Sequence, residues 1–120
     1  MVVDAKAAEE RQTDLLFKAL GDPTRRDILG RASEGELSVS ALARLYPVSL
    51  AAVQKHVATL ERAGLVTKQR RGRETVVHAE TEALHRARAA LDRLESAWRG
   101  RIDRIDKILD QPENGDQQCL

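Results

Sequence analysis

At 120 residues, 42% hydrophobic and 32% charged, the chain is sized for one folded domain and is too short for two full cores. Its three aromatic residues, Phe17, Tyr46 and Trp98, leave the core to Leu, Val, Ile and Ala, which suits packed helices. A single cysteine excludes an intrachain disulfide. No apolar run is long enough for a bilayer, and the N-terminus is too charged for a secretory signal, so no membrane partner and a cytoplasmic location are expected.

Residues 1–6 read as disordered. From about Ala7 to Leu20, apolar residues fall at helical spacing (Ala8, Leu15, Leu16, Ala19, Leu20), and Gly21 supplies a C-cap. Asp22 caps a second helix with Pro23 at its first position, where the missing N–H is harmless. That helix turns Ile28, Leu29 and Ala32 inward and runs out at Ser33-Glu34-Gly35. Glu36 to Ser38 admits a short strand. Ser38 or Ser40 then caps a third, short helix that carries Leu42 and Leu45 into the core. Tyr46-Pro47-Val48 is a turn, because proline biases the residue before it away from helix.

Ser49 caps a fourth helix. Val53, Val57 and Leu60 recur at i, i+4, i+7 and face inward, while Ala51, Gln54, Lys55 and Thr59 lie on other faces. Gly64 is its left-handed stop. Val66–Arg70 and Glu74–His78 read as antiparallel strands joined at Arg71-Gly72-Arg73. Thr81 caps a long last helix whose apolar positions are Leu84, Ala87, Leu91, Leu94, Trp98, Ile102, Ile105 and Leu109, nearly a heptad seam from end to end. A stripe that long exceeds what a small core can cover, so part of it is expected to pair with a second copy. Residues 7–110 form the expected domain, and residues 111–120 read as a disordered polar tail.

Charge is gathered in the middle of the chain. Between Arg44 and Arg73 seven cations (Arg44, Lys55, Arg62, Lys68, Arg70, Arg71, Arg73) stand against one acid, Glu61, whereas the whole chain carries only +1. A basic helix followed by a basic hairpin is the footprint of a face that meets nucleic acid. Helices three and four have the layout of a helix-turn-helix. The small run Ser49-Leu50-Ala51-Ala52 lets the fourth helix approach a duplex, and its free N–H groups favour phosphate. Gln54 suits adenine and Lys55 suits guanine. An amphipathic helix with a solvated face and a solvated charge run are the plainer readings of each part. Their combination favours double-stranded DNA.

Ala19-Leu20-Gly21-Asp22-Pro23-Thr24-Arg25-Arg26, Ile28-Leu29, Val53 to Leu60, Ala63-Gly64-Leu65-Val66 and Arg70-Arg71-Gly72-Arg73 resemble the arsenic-repressor-like (ArsR/SmtB-type) winged helix-turn-helix regulators, over about Leu15 to Ile108. The resemblance implies a mainly α fold with a small β-hairpin, ordered α-α-α-α-β-β-α. It also implies a homodimer through the first and last helices and repression from an inverted-repeat operator. DNA contacts are then expected at Ser49, Leu50, Ala51, Gln54, Lys55, His56 and Thr59 of the fourth helix and at Arg70, Arg71 and Arg73 of the wing. Leu50 departs from the polar residue frequent there and suits a thymine methyl. The expected dimer interface is Leu15, Leu16, Leu91, Leu94, Trp98, Ile102 and Ile105.

Metal-sensing relatives carry a Glu-Leu-Cys-Val-Cys run where this chain has Glu36-Leu37-Ser38-Val39-Ser40, and serine is a poor ligand for soft metals. No metal or cofactor is therefore expected, and no enzyme motif is present. Three alternatives stay open: a zinc-type site using Glu82, His85, Asp92 and Glu95 of the last helix, an unknown small-molecule effector, and a winged helix that docks an acidic protein. Cys119, alone in the tail, reads as incidental, with an intermolecular disulfide as its alternative.

Overall fold

A computed structural model describes residues 4–110; the expected disorder of the tail and the role of Cys119 lie outside them. The elements run α1 (Ala5–Leu20), α2 (Pro23–Glu34), β1 (Leu37–Ser38), α3 (Val39–Ala43), α4 (Leu50–Arg62), β2 (Val66–Arg71), β3 (Glu74–Ala79) and α5 (Thr81–Asp110). The expected caps hold at Asp22, Ser38 and Ser49, whose side-chain oxygens accept from the backbone N–H of Arg25, Ala41 and Ala52 at 3.0–3.1 Å. None of the described helices is long and apolar enough to cross a membrane.

The core is aliphatic. Leu16 and Ala19 of α1, Ile28, Leu29 and Ala32 of α2, and Leu42 of α3 meet Val53, Val57 and Leu60 of α4 and Leu65, Val66 and Val77 near the sheet. α5 starts in this unit, with Ala83 and Ala87 buried. It then continues as one helix to Asp110, and from Arg88 onward it belongs to a second compact unit.

Several expectations change. α1 starts at Ala5, two residues early, because Asp4 accepts from Lys6 N–H as an N-cap. Thr81 is the first residue of α5 rather than its cap. Leu45 is 48% exposed, since α3 ends at Ala43 and cannot carry it inward. The hairpin is not alone: β1 pairs with β3, Leu37 opposite Val77, giving a three-stranded antiparallel sheet in the order β1-β3-β2. The short strand expected at Glu36 to Ser38 is present as Leu37–Ser38, but its pairing with β3 is a long-range contact that a local pattern does not report. Leu16, expected at a dimer interface, is 1% exposed and fills the core. Its neighbour Leu15 is the exposed member of the pair.

α4 ends in a Schellman motif. Leu65 N–H donates to Leu60 C=O at 3.0 Å and Gly64 N–H to Glu61 C=O at 2.9 Å, with Gly64 at φ +77°. Leu60 and Leu65, both fully buried, make the apolar contact that accompanies it. Gln12 of α1 donates to the Ala63 carbonyl at 3.1 Å, satisfying another acceptor at that helix end.

The turn between α3 and α4 is anchored to α2. Tyr46 donates its phenol proton to Asp27 Oδ2, and Arg31 donates to the same oxygen at 2.8 Å. Burial, then the bond to Asp27, pushes the Tyr46 phenol up to about 12. The Tyr46 bond and then the Arg31 bond hold Asp27 below the usual carboxylate range. A raised phenol pKa stabilises the fold fully below the ordinary value of 10.0, and that contribution is lost as pH rises through about 12. Asp27 has the opposite sign: its contribution is present above the ordinary carboxylate range and fades as pH falls through its lowered value. Tyr46→Phe is expected to lower the thermal midpoint at neutral pH by about 3–6 °C. In melts run as a pH series, the variant should also lose part of the parent's alkaline destabilisation.

Candidate nucleic-acid interface

α4 is seated by one apolar stripe and leaves another face in solvent. Val53, Val57 and Leu60 are at most 1% exposed. Ser49, Leu50, Ala51, Gln54 and Lys55 are exposed together around the first turns of the helix. That first turn holds no acidic residue, so its free N–H groups are open to an anion. Leu50, 47% exposed, stands free of the core at the first helical position, as a methyl-reading residue would.

Two of the expected contacts are less free. Thr59 is half-buried, and its hydroxyl donates back to the Lys55 carbonyl at 3.0 Å, a bond made within the helix. His56 is half-buried against α2, its Nδ1 3.3 Å from Arg25 Nη1 and 3.9 Å from Asp22 Oδ2. A guanidinium only donates, so Nδ1 accepts, and the neutral ring carries its proton on Nε2.

Arg25 does more than meet His56. Its Nε donates to the Ala19 carbonyl at 2.8 Å and its Nη2 to the Lys18 carbonyl at 2.9 Å, while Arg26 Nη1 reaches the Leu20 carbonyl at 2.7 Å. Two cations therefore close the negative end of α1 and join it to α4. The Arg25 backbone N–H, then desolvation and the Arg25 charge, act on Asp22, and the net effect holds its carboxyl below the usual range. Charge and periodicity alone do not mark Arg25 and Arg26 as groups that build this site. The sequence carries a signal for this: two arginines one residue after a helix-ending Gly-Asp-Pro are placed to cap the helix just finished.

The wing rises beside α4. Arg71 faces Glu74 at the end of the ladder, so the turn is the two residues Gly72-Arg73, with Gly72 at φ +62° in the left-handed region such turns require. Arg70 Nε donates to the Gly72 carbonyl at 3.2 Å, which stiffens the tip. Among the described residues, no carboxylate pairs with Arg70 or Arg73. Arg71 differs: it forms a two-pronged ion pair with Glu36. Lys68 also has a partner, Glu61 of α4 at 3.2 Å, which ties helix to strand. Between them lies a cleft of about 190 Å³ lined by Val39, Gln54, Val57, Lys68 and Thr75. That is below the size of ordinary small-molecule sites. Among the described residues, Lys55 and Arg62 of α4 and Arg70 and Arg73 of the wing have no carboxylate partner.

On α5 beyond Ala87, Leu91, Leu94, Trp98, Ile102, Ile105, Ile108 and Leu109 are between 40% and 68% exposed. His85 and Glu82 are exposed at the helix start.

A helix-turn-helix domain family matches residues 20–69. An HTH-type transcriptional regulator of Mycobacterium tuberculosis is 40% identical over 100 residues, spanning 83% of this chain and 91% of that protein. An ArsR-like transcriptional regulator from Rhodococcus has the same fold at a TM-score of 0.73 and 33% identity, over 82% of this chain and 93% of that one. The homodimeric winged helix-turn-helix DNA-binding domain of a possible ArsR-family regulator from Mycobacterium bovis aligns at a TM-score of 0.63. It is 27% identical over 80% of this chain and 89% of that one.

Proposed function

The chain belongs to the ArsR-type winged helix-turn-helix transcriptional regulators, and from that premise we propose that it is a homodimeric repressor of an inverted-repeat operator. Residues 7–110 act as its DNA-binding and dimerisation domain. The observation that carries this reading is the face made by α4 and the wing tip. Small and polar residues surround an anion-ready helix start, and among the described residues Lys55, Arg62, Arg70 and Arg73 have no carboxylate partner.

In this reading α4 enters the major groove. Gln54 and Lys55 read base edges, Leu50 touches a thymine methyl, and Ser49 and Ala51 allow close approach. Thr59 and His56 stand behind them, His56 offering Nε2–H to a phosphate. Arg70 and Arg73 meet the backbone or the minor groove at the tip. The apolar residues of α5 from Leu91 to Ile105, and Leu15 of α1, are covered by the second copy. The homodimeric Mycobacterium bovis relative supports that choice of partner. Two α4 helices then sit about 34 Å apart along the duplex, and occupying the site excludes polymerase. A regulator of this kind works in the cytoplasm, where the DNA is.

Lys55→Ala is expected to weaken operator binding by about 1–3 kcal/mol and to relax base preference at one position of each half-site. Arg73→Ala should weaken all duplexes alike and reduce the slope of log affinity against log salt by about 0.9 per lost contact. The experiment is selection of duplexes from a random library by the purified protein, followed by gel shifts with both variants. Recovery of an inverted repeat, with the two variants separating as described, supports the reading. Two variants that bind like the parent would remove the assigned contacts.

A further inference from the structure

The DNA reading leaves one ion pair of the wing unused. Glu36 immediately precedes β1 and Arg71 ends β2, with β3 between those strands in the sheet. Arg71 donates through both Nη1 and Nη2 to the two carboxylate oxygens of Glu36, the Nη2 bond at 3.1 Å. Glu36 Oε1 also lies 3.6 Å from His78 Nδ1 on β3, and His78 Nε2 is 3.1 Å from Gln69 Oε1 on β2. The acid is thus held over the wing from two strands.

Both partners are about half exposed, at 51% for Arg71 and 44% for Glu36. An exposed pair is weak enough to be exchanged for another partner. A planar guanidinium fork fits two phosphate oxygens as well as it fits two carboxylate oxygens. Arg70 and Arg73, on the same hairpin, have no acid of this kind among the described residues.

We propose that Glu36 is an intramolecular substitute for a DNA phosphate: it occupies Arg71 in the free wing and must give it up when the duplex backbone arrives. The inference rests on the wing meeting DNA as set out above. It makes Glu36 a determinant of affinity that touches no base. Each binding event trades a carboxylate for a phosphate at Arg71, so the gain is smaller than for an unpaired arginine. The released carboxylate is left beside the duplex and retains a cation, which offsets one of the ions set free on binding. The wing is therefore self-screened, and affinity falls for every sequence alike.

The test is Glu36→Gln, which keeps the side-chain shape and removes the charge. Affinity of the full chain is measured by fluorescence anisotropy over a salt series. The probes are the duplex selected by the parent protein and an unrelated duplex of equal length. Both are expected to bind about two- to fivefold tighter at low salt, with a salt slope steeper by about 0.9. In an Arg71→Ala background the same substitution should change neither quantity. Unchanged affinity and slope in the single variant overturn the proposal. An equal gain without Arg71 overturns it too, since that would be simple removal of a negative charge. A parent that binds neither duplex removes the DNA reading itself, and this inference with it. A purely structural role for the pair would lower the melting midpoint of Glu36→Gln and leave the salt slope where it was.

Discussion

Trp98→Glu combined with Ile105→Glu is expected to make the protein monomeric and to weaken binding to an inverted-repeat duplex by about 10²- to 10⁴-fold. The two positions are seven residues apart, on the same stripe of α5, and are 60% and 49% exposed. Large apolar groups repeated along one helix face, each left in water, mark a surface that another chain covers. Burying one such side chain contributes about 1.5–3 kcal/mol. In the variant that gain is lost at two positions per copy, and a charged glutamate stands on the apolar stripe at each of them. The size of the effect on DNA binding comes from linkage. With the copies joined, the second half-site is engaged at a high effective concentration, and with the copies apart it must be found from bulk solution. Sedimentation equilibrium reads the first effect and anisotropy on the selected duplex reads the second. Helix content by circular dichroism should stay near the parent's, because neither side chain is part of the buried core. A variant that remains dimeric would rule out this seam as the interface. A monomer that binds the inverted repeat like the parent would rule out paired readers.

Leu60→Ala is expected to destabilise the protein by about 2–5 kcal/mol. Leu60 is fully buried at the base of α4, and its carbonyl accepts the Leu65 N–H that turns the chain toward β2. Truncation therefore opens a cavity where α4, its Schellman turn and the sheet converge. Close-packed interiors refill such a space only partly, which is why the loss exceeds the transfer free energy of the missing methylenes. Urea unfolding at fixed protein concentration measures it, with the concentration held constant because a dimer's stability depends on it. The slope m should stay unchanged while the midpoint falls. A loss below about 1 kcal/mol would mean that the site collapses around the alanine and that α4 is seated elsewhere.

Elements with strong local signals were legible beforehand. The stripe Val53-Val57-Leu60, the caps Asp22 and Ser49 and the stop at Gly64 each depend on neighbours within a few residues, and periodicity reports those directly. The hairpin was found for the same reason, each strand being one residue longer than its pattern suggested. Leu15 and Leu16 mark the limit. Both fit a helical apolar pattern, and only the packing of α1 decides that Leu16 is core and Leu15 is surface. The local pattern admits β1 only as a short strand, because its one neighbour, β3, lies about forty residues away in the chain. Leu45 looked like core from its hydrophobicity, yet a helix that stops at Ala43 leaves it outside.

The candidate site divides along the same line. Charge clustering by itself marked the stretch proposed to meet a polyanion, since seven cations in thirty residues remain a basic segment however they are folded. It could not determine which of those cations are free. Tertiary structure pairs Lys68 with Glu61 and Arg71 with Glu36, and among the described residues leaves Lys55, Arg70 and Arg73 without an acid. It also brings Arg25 to His56, thirty-one residues along the chain. Side-chain type fixes what a group can bond to, whereas the partner it meets depends on long-range geometry that a local pattern does not encode. So this sequence specified the kind of surface, and the fold decided which of its cations are already paired with acids.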